Sequence, residues 1–365
     1  MRGLSWKMDQ SQGRSVHFFI RITGDMDSKI HRFYTTSIGG LEDVVLDDCH
    51  NRLIGLEKVR IERGGRVGRI FFQYERSPKQ LVEIHSAVGV FALLAEVFGI
   101  TVGKTSIERI KTKITALNIE PVQRLARACG AATDGSQYDL NVTLQGHHRF
   151  TTLELRRVVQ EVLEGQHGLR GGEDGLPFYL QVTGKRAIFG LRLSSRSMET
   201  ALACSLTYLM GMQPQDRIVG LHCRGGESKV MEEAGFAQRF IALSEMRIKE
   251  PEPNNISVVG EVNHMPIIDA GMTYVMAYSR LGRTNLSWGE LAEVARVIEP
   301  GGVVGLVVQA PRQWVAGLQE ANLPFEIMAG VPINLRGRRC GLLLLERIEE
   351  FDAHTELLNI EWDDV

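Results

Sequence analysis

The chain has no Cys-x-x-Cys pair, no long apolar run and almost no net charge, and each absence removes a class of explanation. Its five cysteines, Cys49, Cys129, Cys204, Cys223 and Cys340, are scattered through 365 residues. Neither a zinc site nor a disulfide framework is indicated, and buried free thiols are expected. No stretch approaches the roughly 20 apolar residues that a membrane helix needs. The first thirty residues lack both the apolar segment and the small-residue cleavage site of a secretory signal, so a cytoplasmic location away from membranes is expected. The formal net charge is −2, from 42 Lys and Arg against 44 Asp and Glu. As an average, that argues against a nucleic-acid partner.

The average conceals a cancellation. Residues 106–196 carry thirteen Lys and Arg against nine Asp and Glu, while residues 349–365 carry seven acidic residues and no basic one. These blocks fit a solvated face with a soluble tail as well as they fit an RNA-binding surface, and charge alone does not separate the two. What is abundant is apolar: 44% of the residues are hydrophobic, enough for two or three packed domains and too much for a disordered chain.

Periodicity gives the order of elements. A strand over 33–36 and a helix over 39–51 open the chain, followed by a strand over 67–74 and an apolar-faced helix over 80–98 that stops at Gly99. Helices over 106–116 and 121–128 precede an alternating strand over 138–144. Thr151-x-x-Glu154 then forms a capping box that starts a helix with Leu155, Val158, Val159 and Val162 on its buried stripe. Two strands over 178–183 and 186–194 turn at Gly184-Lys185. From Met198 the pattern is helix and strand in alternation, with strands over 217–221, 239–243, 256–259, 274–277 and 303–308 and helices over 198–210 and 288–298, the arrangement of a doubly wound sheet. The chain closes with strands over 325–328 and 340–347 around Asn334-Leu335-Arg336-Gly337. These must pair as an antiparallel hairpin at the edge of that sheet. A nicotinamide-binding sheet ends instead with a further parallel strand, so the hairpin disfavours a dinucleotide oxidoreductase.

Several stretches, in this order, carry a resemblance: Phe33-Tyr34-Thr35-Thr36 with Gly40-Leu41-Glu42, His147-His148-Arg149-Phe150-Thr151, Phe189-Gly190-Leu191-Arg192-Leu193-Ser194, and Pro332-Ile333-Asn334-Leu335-Arg336-Gly337. Over nearly its whole length the chain resembles the RNA methyltransferases that join a THUMP domain to a class I methyltransferase domain. The resemblance implies an α/β protein in five parts: an extension over 1–29, a ferredoxin-like module over 30–105, a THUMP RNA-binding domain over 106–196, a Rossmann-like class I methyltransferase domain with a C-terminal β-hairpin over 197–348, and an acidic tail over 349–365. It implies structured RNA, tRNA above all, as the partner. His147, His148, Arg149, Lys185, Arg186 and Arg192 are the cations expected to reach phosphates. For Arg156 and Arg157 an exposed helix face paired with Glu154 and Glu161 is the plainer expectation.

The same resemblance places an S-adenosylmethionine site at residues 220–227, read here as Gly-Leu-His-Cys-Arg-Gly-Gly-Glu where the family carries Asp-Pro-x-Cys-Gly-x-Gly-Thr. Cys223, Gly225 and Gly226 are the expected cofactor contacts there, with Glu245 after the second strand and Glu261 before Met265-Pro266. An acid is missing at Gly220. Arg224 fills a position that needs close backbone approach, and Glu227 brings charge that repels the donor's carboxylate. The base clamp, Asn-Pro-Pro-Tyr in the family, is Tyr278-Ser279-Arg280-Leu281, leaving Tyr278 and Ser279 as the candidate catalytic positions. Arg280 sets a cation where a neutral acceptor belongs, and Leu281 cannot stack as an aromatic ring does. Two expectations follow. One is an RNA-binding protein whose catalysis has gone, acting alone or beside an active protein partner. The other is an active S-adenosylmethionine-dependent methyltransferase acting on a guanine N2. No metal is expected in either.

Overall fold

The computed structural model describes residues 30–213, 215–222, 240–244, 256–278 and 285–349. Two sheets follow one another in the chain. The first contains β1 (Arg32–Ile38), β2 (Glu57–Glu62), β3 (Val67–Gln73), β4 (Gly89–Phe98), β5 (Gln137–Gln145), β6 (Arg170–Gly171), β7 (Leu176–Thr183) and β8 (Arg186–Ser195), in the order β2-β3-β1-β4-β8-β7-β5-β6. Helices α1 (Glu42–Arg52), α2 (Thr105–Thr115), α3 (Ile119–Ala128) and α4 (Thr152–Gly165) bury their apolar stripes on one face. Val45, Ile110, Val122 and Val159 share a core there with Phe33, Val90, Leu140 and Phe178. Alternate residues of the same strands point the other way, and Tyr34, Phe71, Phe91, Leu93 and Ile188 form a second cluster.

The helix expected over 80–98 does not form. A 3₁₀ turn takes Pro78–Glu83, and Gly89-Val-Phe-Ala-Leu-Leu-Ala-Glu-Val-Phe is β4, paired antiparallel with β1 on one side and β8 on the other. A central strand buried on both faces has no polar alternation to show, so its apolar run imitates a helix stripe. Through β4 and β8, strands from 30–105 and from 106–196 become one sheet. β2, Glu-Lys-Val-Arg-Ile-Glu, is an exposed edge strand whose charges mask it in the sequence. The capping box at Thr151 is present, with the Thr151 hydroxyl accepting from Glu154 N and the Glu154 carboxylate accepting from Thr151 N. The β7–β8 turn closes at Gly184, φ +54.

α5 (Met198–Leu209) leads into the second sheet, made of β9 (Ile218–Leu221), β10 (Phe240–Ser244), β11 (Ile256–Val259), β12 (Met272–Tyr278), β13 (Ile298–Gln309), β14 (Phe325–Leu335) and β15 (Arg338–Arg347), in the order β11-β10-β9-β12-β13-β15-β14. β9 to β13 pair in parallel, whereas β15 runs antiparallel to both β13 and β14. α6 (Trp288–Val297) and α7 (Pro311–Glu320) follow β12 and β13. α7, unforeseen in the sequence, starts with Pro311 after a left-handed Ala310 and buries Trp314 and Leu318. The closing hairpin turns on Arg336 and Gly337, both with positive φ (51° and 85°), as a two-residue turn joining twisted strands requires.

The two sheets meet at glycine turns. Asn334 N donates to Gly39 O at 2.9 Å, and Ile38, Leu41 and Val44 pack with Leu202, Leu206, Ile333 and Leu335 in one core. Cys49 and Cys340 are buried free thiols, as expected, and Cys129 and Cys204 are half-buried; Cys223 lies outside the described residues. Among the described residues no helix is long and apolar enough to cross a membrane, and no cluster of His, Cys, Asp and Glu could hold a metal ion.

Candidate functional site

In an open parallel sheet the crevice forms outside the carboxyl ends of the strands, where the order reverses. Here β9 leads to β10 and β11 on one side, after which the chain returns to β12 on the other, so the crevice lies over the ends of β9 and β12. Gly220 and Leu221 end β9 and are buried. Ser244 ends β10, Glu261 follows β11, and Tyr278 ends β12. The fold therefore brings to one edge the strand ends that lead into the four segments expected to hold cofactor and base. Cys223, Gly225, Gly226, Glu245 and Ser279 lie outside the described residues, as do Arg224, Glu227, Arg280 and Leu281. For Tyr278 the backbone position alone is described.

Two described side chains occupy the crevice edge. Glu261 is exposed and enters the short 3₁₀ turn Val262–His264. It can accept a hydrogen bond from an amine. His222, the residue after β9, is half-buried in the left-handed region at φ +57, and its Nε2 lies 3.8 Å from Oε1 of Glu290 on α6. Glu290 has two tasks. Its Oε2 accepts from Ser287 N (2.7 Å) and Ser287 Oγ (2.9 Å), closing a capping box at the start of α6, while Oε1 faces the imidazole. The pair spans the crossover from β9 to the helix after β12.

No sequence signal marks His222, and Ser287-x-x-Glu290 carries only the capping-box spacing. The edge is fastened from α6 and β13. Arg296 donates to Ile267 O (2.8 Å) and Met265 O (3.0 Å) while paired with Glu293 and Asp269, and Glu293 accepts from Met265 N at 2.8 Å. These bonds, the Arg296 side chain first, hold the Glu293 carboxyl below the usual carboxylate range. Asn285 clasps Gln309 in both directions, Nδ2 to O at 3.1 Å and N to Oδ1 at 2.7 Å.

The residues expected to grip RNA divide by structure. Three connections converge at one rim of the first sheet, where Gly184 N donates to Gln145 O (3.1 Å), Ile100 N to Lys185 O (2.8 Å) and Arg149 N to Val102 O (2.9 Å). His147, Arg149 and Lys185 are exposed there, and among the described residues no hydrogen bond or ion pair engages their side chains. His148 is more internal, 4.9 Å from the Phe150 ring and with Nε2 3.3 Å from Gln145 O. Arg186 is committed elsewhere: it pairs with Glu62 and Glu96 and lies 4.6 Å above the Phe71 ring. Arg192 lines a polar cavity of about 330 Å³ with Asp139, Glu173 and Asp174. Arg157 pairs with Glu161 at 3.2 Å, as its helix spacing suggests, whereas Glu154 pairs with Lys104.

No protein-family model matches the chain, and no curated protein matches it in sequence. Solved structures do match in fold. TrmN from Thermus thermophilus superposes with a TM-score of 0.62 at 18% identity, covering 87% of this chain and 99% of its own. A putative methyltransferase, SMU.472, complexed with SAH gives 0.61 at 10% identity over 89% and 100%. A predicted N6-adenine-specific DNA methylase from Listeria monocytogenes gives 0.58 at 11% over 86% and 95%. At these identities the likeness is one of fold. With 86–89% of this chain covered, it takes in both sheets.

Proposed function

We propose that the protein binds structured RNA, tRNA above all, as a member of the THUMP RNA methyltransferase family in which methyl transfer has been lost. Residues 30–105 and 106–196 supply the grip, and residues 197–348 keep the methyltransferase scaffold. The observation that carries RNA binding is the rim where three connections gather His147, Arg149 and Lys185, whose side chains no hydrogen bond or ion pair engages among the described residues. Basic side chains held there by backbone geometry and not engaged by any described residue are available to phosphates, and contribute salt-sensitive, sequence-independent affinity. Arg186, tied to Glu62 and Glu96, drops out of this grip, and Arg192 stands apart at its own cavity.

Two features of the described residues count against S-adenosylmethionine. The strand that should end in an acid to hold the donor's amino group ends in buried Gly220 and Leu221, and beyond it an imidazole and carboxylate pair with each other. A charged Glu290 beside that turn would repel the donor's own carboxylate. On this reading the protein shields or presents RNA, beside an active protein partner where modification is needed. One observation favours the other reading, an active guanine-N2 methyltransferase: Glu261 stands exposed at the carboxyl edge, placed to accept from an adenine amine.

Calorimetry with S-adenosylmethionine and S-adenosylhomocysteine separates the two. Absence of binding is expected, and micromolar binding of either, followed by labelled methyl transfer to bulk tRNA, would replace the first reading by the second. RNA binding is tested by fluorescence anisotropy of tRNA across a salt series. Affinity should fall steeply as salt rises, and no binding at low salt would remove the proposal.

A further inference from the structure

A second concentration of cations is built by the joint between the two sheets. Arg63 and Arg66 stand on the β2–β3 turn, and Arg336, Arg338 and Arg339 on the β14–β15 turn and the strand start after it; all five are exposed. Sequence separates the two groups by most of the chain, and three layers of turn bring them together. A Cβ on Gly39 would stand 2.7 Å from Gly64 O, so the β2–β3 turn rests on the end of β1. Gly39 O in turn accepts from Asn334 N. Arg66 then reaches over the closing turn, its Nε 3.5 Å and its Cζ 3.6 Å from where a Cβ on Gly337 would stand.

Two of the five have carboxylate partners, Arg63 bidentate on Asp43 at 2.7 and 2.8 Å and Arg336 on Glu199 at 2.7 Å. Among the described residues no hydrogen bond or ion pair engages the side chains of Arg66, Arg338 or Arg339. The joint is already held by the apolar core of Ile38, Leu41, Ile333 and Leu335 and by the Gly39–Asn334 bridge. Crowding Arg66, Arg338 and Arg339 over it as well adds repulsion, which a polyanion would reverse. Position supplies the rest. Cys340 lies opposite Gln309, so the β14–β15 turn stands at the carboxyl edge of the second sheet, the edge that holds His222 and Glu261. Guanidinium is always charged and offers a planar fork that matches phosphate.

We propose that this interdomain arginine cluster binds consecutive phosphates of an RNA backbone and lays that strand along the edge where the crevice opens. The site rests on the RNA-binding reading but uses none of the rim residues, so the two can fail separately. The test is anisotropy of bulk tRNA across a salt series with full-length protein, comparing wild type, the cluster variant R66Q/R338Q/R339Q, the charge-retaining R66K/R338K/R339K, and the rim variant R149Q/K185Q. Each lost contact should lower the magnitude of the log-log salt slope by roughly 0.7–0.9, so the cluster variant should lose about 2 with a drop in affinity on the order of tenfold or more. The lysine variant should retain most of that slope. Single R66Q, an exposed turn substitution, serves as the variant least able to disturb folding, and should lose about one contact's share. An unchanged slope in both the triple and the single cluster variants, with a reduced slope in the rim variant, overturns the cluster while leaving RNA binding intact. Failure of wild type to bind tRNA at low salt overturns both.

Discussion

The joint between the sheets can be broken with one methyl group. Gly40 has φ +95, and a Cβ there would stand 2.0 Å from Pro332 O. Gly211, after α5, has φ +65 but no atom within 4 Å of its would-be Cβ. G211A therefore isolates the dihedral strain, about 1–2 kcal/mol for a non-glycine residue in this region, partly offset by about 0.4–1 kcal/mol from reduced freedom of the unfolded chain. G40A adds a collision with backbone that cannot rotate away. The hairpin must retreat by at least about 1 Å to reach the closest approach real Cβ atoms show. That retreat breaks the 2.9 Å bond from Asn334 N to Gly39 O, worth about 1 kcal/mol net, and loosens the apolar contacts of Ile38 and Leu41 with Ile333 and Leu335, at about 0.8 kcal/mol per methylene uncovered. G40A should thus cost about 3 kcal/mol or more, against about 1 kcal/mol for G211A. Urea denaturation gives the comparison, and hydrogen exchange at the Asn334 amide reports the joint directly. Equal losses in the two variants, with Asn334 exchange unchanged in G40A, would show that the close approach does not hold the units together.

Other perturbations are simpler. S287A removes the cap of α6 and one anchor of Glu290, and should cost about 1 kcal/mol in thermal unfolding; an unchanged melting temperature would show that the cap is dispensable. His85 is held down to about 4 by burial first, then by the charges of Arg196 and Arg52, while the unfolded imidazole titrates near about 6.5. The unfolded chain therefore binds an extra proton between those values, and this contribution to stability is complete above about 6.5 and is lost as pH falls towards 4. The His85 ring resonances should stay flat from pH 7 to 5, and a midpoint near 6.5 would contradict the burial argument. R296M should speed exchange at the Met265 amide by freeing Glu293. Because Arg296 keeps the Glu293 carboxyl low, stability from that pair is present above the ordinary carboxylate range and disappears as pH falls through the native value. The deficit of R296M should shrink in acid, and a deficit independent of pH would refute the link.

Local rules made much of this protein readable in its sequence. Thr151-x-x-Glu154 announces α4 because hydroxyl and carboxylate satisfy neighbouring backbone groups within one turn, and Gly184 announces the β7–β8 turn because that backbone geometry favours glycine. The alternation after Met198 announces the second sheet, since parallel strands need crossovers. β4 reads as a helix in the sequence because burial on both faces erases alternation, and that burial is created by β1 and β8, distant in sequence. The same limit applies to function. The sequence supplied basic residues and worn motifs, but which cations remain available depends on partners that only folding brings near. Glu62 and Glu96 claim Arg186, nothing described claims Arg149 or Lys185, and two turns at opposite ends of the chain assemble Arg66 with Arg338 and Arg339. Backbone propensity acts over a few residues and is written in order along the chain, whereas charge pairing acts through space and is fixed only when the sheets close on each other.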